Sequence, residues 1–159
     1  MFGFSDFLGF LLALLFIYPV VSLIHELGHS FFAWLFGGKF IFSLGRGRKI
    51  FQKGPFILNS MYFLDAFCEY EQLKWNNRFT HFLVHAGGVI FNLGSVLVLN
   101  LLISKGIIEP HTLFVRYSYF SVWIATFSLV PVDYGNENYS DGLSIYKVLR
   151  HNKWPKLTG

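Results

Sequence analysis

The chain has 159 residues, of which 53% are hydrophobic, 20% aromatic and only 14% charged. A soluble globular domain carries about 25% charged residues, so the composition indicates a membrane protein, and the length favours one domain, residues 1–159. The net charge of +4 does not indicate nucleic-acid binding, because Lys and Arg at the ends of membrane segments explain it. The single cysteine, Cys68, excludes an internal disulfide and a cysteine-based metal site.

The first apolar segment carries no charge from Phe7 to Ile24, a run of about 18 residues, which is enough to span a bilayer. No basic region precedes the run and no small-residue cleavage site follows it, so we predict a retained helix rather than a signal peptide. The predicted helix covers residues 7–36, is kinked by Pro19 and ends at Gly37-Gly38.

The pattern changes over residues 39–70, where aromatic and aliphatic residues are interrupted by Gly45, Gly47 and Gly54-Pro55. These are hairpin signals, and they predict two to four short strands at the membrane. An apolar interfacial loop is the alternative for this region.

Three further helices are predicted, at residues 81–104, 113–130 and 141–150. The first two are apolar enough to be read as spanning helices. The predicted fold is therefore a mainly α membrane protein with three core transmembrane helices, a membrane-associated β-hairpin region after the first helix and a short C-terminal helix.

Basic residues are more frequent between Lys39 and Arg78 than in the loop from Lys105 to Glu109. The C-terminal tail adds Lys147, Arg150, Lys153 and Lys156. By the positive-inside rule, the N-terminus is expected outside the cell, and the hairpin region and the C-terminus in the cytosol.

The chemistry-bearing motif is in the first helix, which reads LIHELGHSFF over residues 23–32. Residues four apart lie on one helical face, so His25 and His29 can share one zinc ion. Glu26 lies beside that ion and can take a proton from its water, as in the H-E-x-x-H motif of zinc hydrolases. The alternatives are hydrogen-bonded core histidines and a structural ion pair, but ionisable residues in a membrane segment usually mark function.

A catalytic zinc usually has three protein ligands and one water, so a third ligand must come from elsewhere. The best candidate is Asp141, in a polar segment that reads NYSDGLSIY. The alternative role for Asp141 is that of an ordinary N-cap at the start of the last helix.

The order of these motifs resembles that of the site-2 protease family of intramembrane zinc metalloproteases. HELGH on a first membrane helix is followed by a Gly-rich strand region, by AGGVIFN at residues 86–92, by Pro131 and by Asp141-Gly142. The resemblance runs from about residue 8 to residue 149 and has the minimal form, without a PDZ or CBS domain. It implies that His25 and His29 are metal ligands, Glu26 the catalytic glutamate and Asp141 the third ligand, with one Zn²⁺ per chain.

The resemblance also implies a reaction: hydrolysis of a peptide bond in a membrane protein or membrane-embedded peptide, the chemistry of regulated intramembrane proteolysis. Asn92 is then a candidate for holding the substrate or the oxyanion; a hydrogen bond between helices is its alternative role. The chain differs from the family in having Ser128 where Asn is usual, and in a longer loop from Pro131 to Asp141. A small chain of this kind is expected in a bacterial or archaeal cell membrane.

A rival interpretation comes from His81 and His85, which repeat the spacing of His25 and His29. The four histidines could bind haem or a metal between two helices without proteolysis. That interpretation leaves the acidic residues Glu26 and Asp141 without a role.

Overall fold

The computed structural model describes residues 3–136, 138–151 and 154–155; Lys153 and Lys156 of the basic tail lie outside the described residues. The chain begins with α1 (Phe4–Leu12), a π-helical turn (Ala13–Ile17) and α2 (Tyr18–Leu35), which follow one another without a break. A proline ring clashes with the carbonyl four residues before it, and for Pro19 that carbonyl lies in the wider π-helical turn. The irregularity predicted at the proline therefore takes the form of a widened turn.

The end of α2 is set by glycine. Gly37 has φ +72°, and the backbone amide of Gly38 donates to the carbonyl of Ala33 at 2.8 Å. This left-handed residue after the helix is the usual C-terminal glycine motif, and it turns the chain directly into the sheet.

The sheet consists of two long antiparallel strands, β1 (Lys39–Lys53) and β2 (Phe56–Glu71), joined at Gly54-Pro55. Residues 42–44 of β1 have partners in two parts of β2, residues 56–58 and residues 66–68. The hairpin is therefore folded back on itself and is not a flat ribbon. Strands occupy the region predicted as β, but each is longer than the short strands expected there.

The second half of the chain is mainly helical. It contains α3 (Arg78–Ser104), α4 (Thr112–Ser128), a small hairpin of β3 (Asp133–Gly135) with β4 (Asn138–Tyr139), and α5 (Asp141–His151). A capping box begins α3: the Asn77 side chain accepts from the Thr80 amide at 3.0 Å, and the Thr80 hydroxyl accepts from the Asn77 amide at 3.2 Å. Because two backbone donors are satisfied in this way, α3 begins three residues before the predicted start.

The prediction of three core transmembrane helices is wrong. Among the described residues, two helical stretches are long and apolar enough to cross a membrane, Phe7–Leu35 with 29 residues and Arg78–Ser104 with 27. The third predicted span corresponds to α4, which has 17 residues and contains Arg116. At 1.5 Å per residue it is about 25 Å long, short of a hydrocarbon core of about 30 Å, and its charged residue interrupts the apolar run.

Only 22% of the apolar window of each long helix is buried inside the chain, whereas the core helix of a soluble protein is mostly buried. Their outward sides carry large apolar residues, including Phe16 at 61% and Leu97 at 62% exposure. Such surfaces suit contact with lipid rather than water.

Glycines bring α2 and α3 into close contact. A Cβ on Gly28 would overlap the carbonyl oxygen of Gly87, and a Cβ on Gly88 would overlap the imidazole of His25. Small residues of this kind let helix backbones approach closely in membranes. The crossing brings α3 directly against the HELGH turn.

The course of α4 follows that of the first helix. Near the start of α4, Arg116 donates to the carbonyl of Gly9 at 3.0 Å. Further along α4, Phe120 packs against Tyr18. At the end of α4, Ser128 lines the same cavity as His25. The chain is thus returned to the end of the two long apolar helices from which the sheet emerges, and α5 begins there.

Candidate metal centre

Three buried side chains from distant parts of the sequence meet beside the α2–α3 crossing. His25 and His29 come from α2 and Asp141 from the first residue of α5, and one possible ligand atom of each lies within 4.8 Å of the others. The Nε2 atom of His25 lies 3.0 Å from Oδ2 of Asp141, and Nε2 of His29 lies 3.5 Å from Oδ1. The structure thus brings together the three residues that the sequence singled out as metal ligands.

The orientation of His29 is fixed from α3. Its Nδ1 lies 2.7 Å from the carbonyl oxygen of Val84, which can only accept, so Nδ1 carries the proton. Nε2 is then the nitrogen that faces Asp141, and it is the one that a metal could bind. This is the arrangement usual for metal-binding histidines, in which a hydrogen bond at one nitrogen sets the tautomer at the other.

The position of Asp141 depends on the residues on either side of it. The Ser140 hydroxyl accepts from the amide of Leu143 at 3.3 Å and donates to the carbonyl of Val130 at 2.7 Å. Ser140 is therefore the N-cap of α5. The carboxylate of Asp141 is left to face the histidines, so the capping role considered for it belongs to its neighbour.

Gly142 brings the start of α5 against the end of α4. A Cβ at this position would overlap the carbonyl of Leu129. The Asp-Gly pair thus places a candidate ligand next to a residue without a side chain, which lets α5 approach the end of α4.

Burial alone would raise the pKa of the Asp141 carboxyl, but the charge of His29 and hydrogen bonds from His25 and His29 hold it below its usual range. The group is therefore an anion, the form in which a carboxylate binds a metal.

A cavity of about 650 Å³ opens beside this cluster. It is lined by the HELGH turn, including Glu26, by Phe67 and Cys68 of β2 and by the end of α4. Glu26 thus shares a cavity wall with the three candidate ligands. The loop before α5 completes the lining with Tyr134, Asn138, Tyr139 and Ser140.

Cys68 lies beside the candidate site, a position that the sequence did not indicate. Its thiol is 1% exposed and accepts a hydrogen bond from the Ser30 hydroxyl at 3.1 Å. Burial raises the pKa of this thiol to about 12, so it is neutral at physiological pH and is not among the three clustered ligands.

Asn92, the candidate for the oxyanion, lies on α3 with no solvent exposure. Its Nδ2 is 3.3 Å from Nδ1 of His25. Its Oδ1 is buried and has no hydrogen-bond partner within the described part of the chain. The side chain therefore contacts the first histidine on the side away from Asp141.

The other two histidines form a separate group. The Tyr70 hydroxyl lies 2.8 Å from Nδ1 of His81 and 3.5 Å from Nε2 of His85. On its other side, Nε2 of His81 lies 2.8 Å from Oδ1 of Asn76. Both histidines thus contact the Tyr70 hydroxyl, and neither belongs to the cluster of three possible ligands found in the described residues.

Comparison with known proteins gives a relative in Bacillus subtilis (strain 168), described as the uncharacterized membrane protein YwmF. It is 44% identical over 153 residues, which cover 96% of this chain and 96% of the relative. The chain belongs to the YwmF family. No protein-family model matches it, and no solved structure matches it.

Membership of the YwmF family agrees with the two apolar helices, and the protein is a membrane protein. In this chain, two imidazole nitrogens and one carboxylate oxygen would form a donor set that suits zinc and would leave one coordination place for water. The buried hydrogen bond from His29 to Val84 supports the fit, because it leaves Nε2 as the nitrogen that faces the centre.

Proposed function

We propose that this protein is a zinc-dependent intramembrane metalloprotease of the site-2 protease type, with His25, His29 and Asp141 holding the metal. One observation carries the proposal. The side chains of His25 and Asp141, separated by 116 residues, meet at 3.0 Å on the wall of a cavity that Glu26 also lines. A pair of histidines placed for packing alone would not need a buried carboxylate from the far end of the chain.

The proposed reaction is the hydrolysis of a peptide bond. Zinc, when bound, supplies Lewis-acid activation of water. Glu26 accepts a proton as the oxygen of water attacks the substrate carbonyl carbon. Glu26 then gives that proton to the amide nitrogen as the carbon–nitrogen bond breaks, so that a carboxylic acid and an amine are released.

The substrate is proposed to be a membrane protein or a membrane-embedded peptide. The ligand turn lies within the apolar stretch Phe7–Leu35, so the cavity opens where a substrate's own membrane segment would lie. That segment must unwind to expose its carbonyls, and β2 beside the cavity offers a place where an extended segment could gain main-chain hydrogen bonds.

The protein is proposed to cross a bacterial or archaeal cell membrane more than once, with the N-terminus outside. The sheet and the C-terminal helix are proposed to face the cytosol. The basic residues of the hairpin, Arg46, Arg48, Lys49 and Lys53, support this orientation through the positive-inside rule.

A test of the proposal does not require an identified substrate. Wild-type protein and the Glu26→Gln variant are expressed in Bacillus subtilis lacking its YwmF relative, and new protein N-termini in the membrane fraction are mapped by mass spectrometry. We expect new termini within or beside membrane segments with the wild type and none with Glu26→Gln, at equal zinc content. The same set of termini from both proteins would contradict the proposal.

The rival function, haem or metal binding without proteolysis, gives a different result. A haem protein purified in detergent would show a Soret absorption band, and its properties would be unchanged by Glu26→Gln. We expect no such band and about one zinc ion per chain, the stoichiometry of a mononuclear site.

A further inference from the structure

The side chain of Asn92 joins α3 to α2 through a hydrogen bond with His25, but this bond uses only one of its two polar atoms. It is fully buried, it touches the metal-binding imidazole of His25 on the face opposite Asp141, and one of its two polar atoms has no partner among the described residues. Buried amide oxygens are nearly always hydrogen-bonded, so this oxygen calls for a physical explanation.

The position of the proton on the His25 ring offers an explanation for this unpartnered oxygen. Nε2 lies 3.0 Å from Asp141 and can donate to it, in which case Nδ1 can accept from the Asn92 amide at 3.3 Å. A nitrogen that binds zinc carries no proton, so in the zinc-bound protein the imidazole proton moves to Nδ1. Nδ1 then becomes a donor and would face the NH2 group of Asn92, which is also a donor.

A half-turn of the Asn92 amide removes this conflict. The oxygen and nitrogen of an amide are distinguished only by the hydrogen bonds around them. Turned about its terminal bond, Asn92 presents Oδ1 to the Nδ1–H group of His25. The conflict between donors and the unpartnered oxygen are resolved by the same movement.

We propose that Asn92 is a positioning residue for the metal centre, whose amide oxygen accepts the Nδ1 proton of His25 when zinc is bound. This inference rests on the proposed function, because it needs a metal at the HELGH turn. In this arrangement each histidine donates its Nδ1 proton to a residue of α3. His29 donates to the backbone carbonyl of Val84, and His25 donates to the side chain of Asn92.

This role differs measurably from that of an oxyanion donor. A donor to the oxyanion acts only during reaction, so its loss leaves zinc affinity unchanged. A group that orients a ligand acts in the resting protein, and its loss typically lowers metal affinity by about 10–100-fold.

The test compares four proteins purified in detergent: the wild type, Asn92→Leu, Asn92→Asp and the control Asn100→Leu, which changes an exposed asparagine on the same helix. Zinc dissociation constants are measured by competition with a chelator, and the absorption spectrum of the cobalt-substituted proteins reports ligand geometry. We expect Asn92→Leu to bind zinc about 10–100-fold more weakly and to alter the cobalt spectrum. Asn92→Asp, whose carboxylate can accept the same proton, and Asn100→Leu should stay within a few-fold of the wild type.

Two results would overturn the inference, and they are distinguishable. If the wild type binds zinc and Asn92→Leu binds it equally well, the positioning role fails while the proposed function stands. If the wild type binds no zinc, both fail together. Should Asn92→Leu not fold, Asn92→Ser serves in its place, because its shorter side chain cannot reach His25 and the same loss is expected.

Discussion

The Nε2 atom of His25 lies 3.0 Å from the carboxylate of Asp141, although 116 residues separate them in the sequence. The contact joins the first long helix to the last helix of the chain. It is possible because Gly142 lets α5 approach the end of α4 closely and because Ser140 takes over the capping of α5.

Removal of the third ligand should release the metal. We expect Asp141→Ala to lower the zinc content of the purified protein to a small fraction of the wild-type value, because two imidazoles alone leave the ion incompletely coordinated. Metal analysis by mass spectrometry makes the measurement. Asp133→Ala, which changes an exposed carboxylate in β3, is the matched control and should keep its zinc; equal zinc in both variants would exclude Asp141 from the site.

The Glu26→Gln variant should lose peptide-bond cleavage but keep zinc binding. Glutamine has nearly the same shape but cannot accept the proton of the attacking water, so we expect cleavage to fall at least 100-fold, the contribution typical of general acid–base catalysis. The zinc content and the melting temperature should be unchanged. Glu109→Gln, in the exposed loop after α3, should cleave normally, and cleavage by Glu26→Gln at the wild-type rate would remove Glu26 from the catalytic role.

The crossing of α2 and α3 should not tolerate a larger side chain. We expect Gly28→Val to destabilise the folded protein by about 3 kcal/mol, the upper part of the range for overpacking, because its Cβ would meet backbone atoms of Gly87. Thermal unfolding in detergent measures the change. Gly94→Ala on α3 is the control: apart from the nearby backbone of α3 itself, no described atom lies within 4 Å of the added Cβ, so this variant should be as stable as the wild type or slightly more stable.

The thiol of Cys68 should resist alkylation in the folded protein. Burial raises its pKa to about 12, so at pH 8 about one thiol in ten thousand would be ionised, against about a quarter at the ordinary pKa of about 8.5. Because the thiolate is the reacting form, labelling should be slow at pH 8 and should become fast only after denaturation.

Mass spectrometry after maleimide treatment follows this labelling. A Ser104→Cys variant adds a matched exposed thiol at the end of α3, which should react within minutes under the same native conditions. Equal rates at the two positions would show that Cys68 is open to solvent and reagent.

The three residues that the sequence singled out as candidate ligands lie together in the structure, whereas the predicted number of membrane helices was wrong. Helical periodicity puts His25 and His29 on one face. Asp141 was a candidate because a catalytic zinc needs a third ligand, and the resemblance to the site-2 protease family favoured it over an N-cap role. The contact of Asn92 with His25 depends on how closely two helices approach. The only local signal for it was the glycine pair at residues 87–88, which indicated close packing but not the neighbour.

The number of membrane helices was overestimated for a physical reason. Residues 113–130 are apolar on average, but Arg116 interrupts them and the helix ends at Ser128, two residues before the predicted end. The double pairing of residues 42–44 with both parts of β2 was also beyond prediction, because hairpin signals give the position of a turn and not the way the strands fold back.

The separation of the proposed ligands along the chain has a consequence for biosynthesis. On the proposed function, the HELGH turn is inserted into the membrane long before Asp141 has been translated, and it cannot complete a metal site until α5 docks. A nascent chain would therefore remain inert towards neighbouring membrane proteins until α5 has been translated and has docked. The same arrangement would let the ion hold α2 and α5 together in the folded protein.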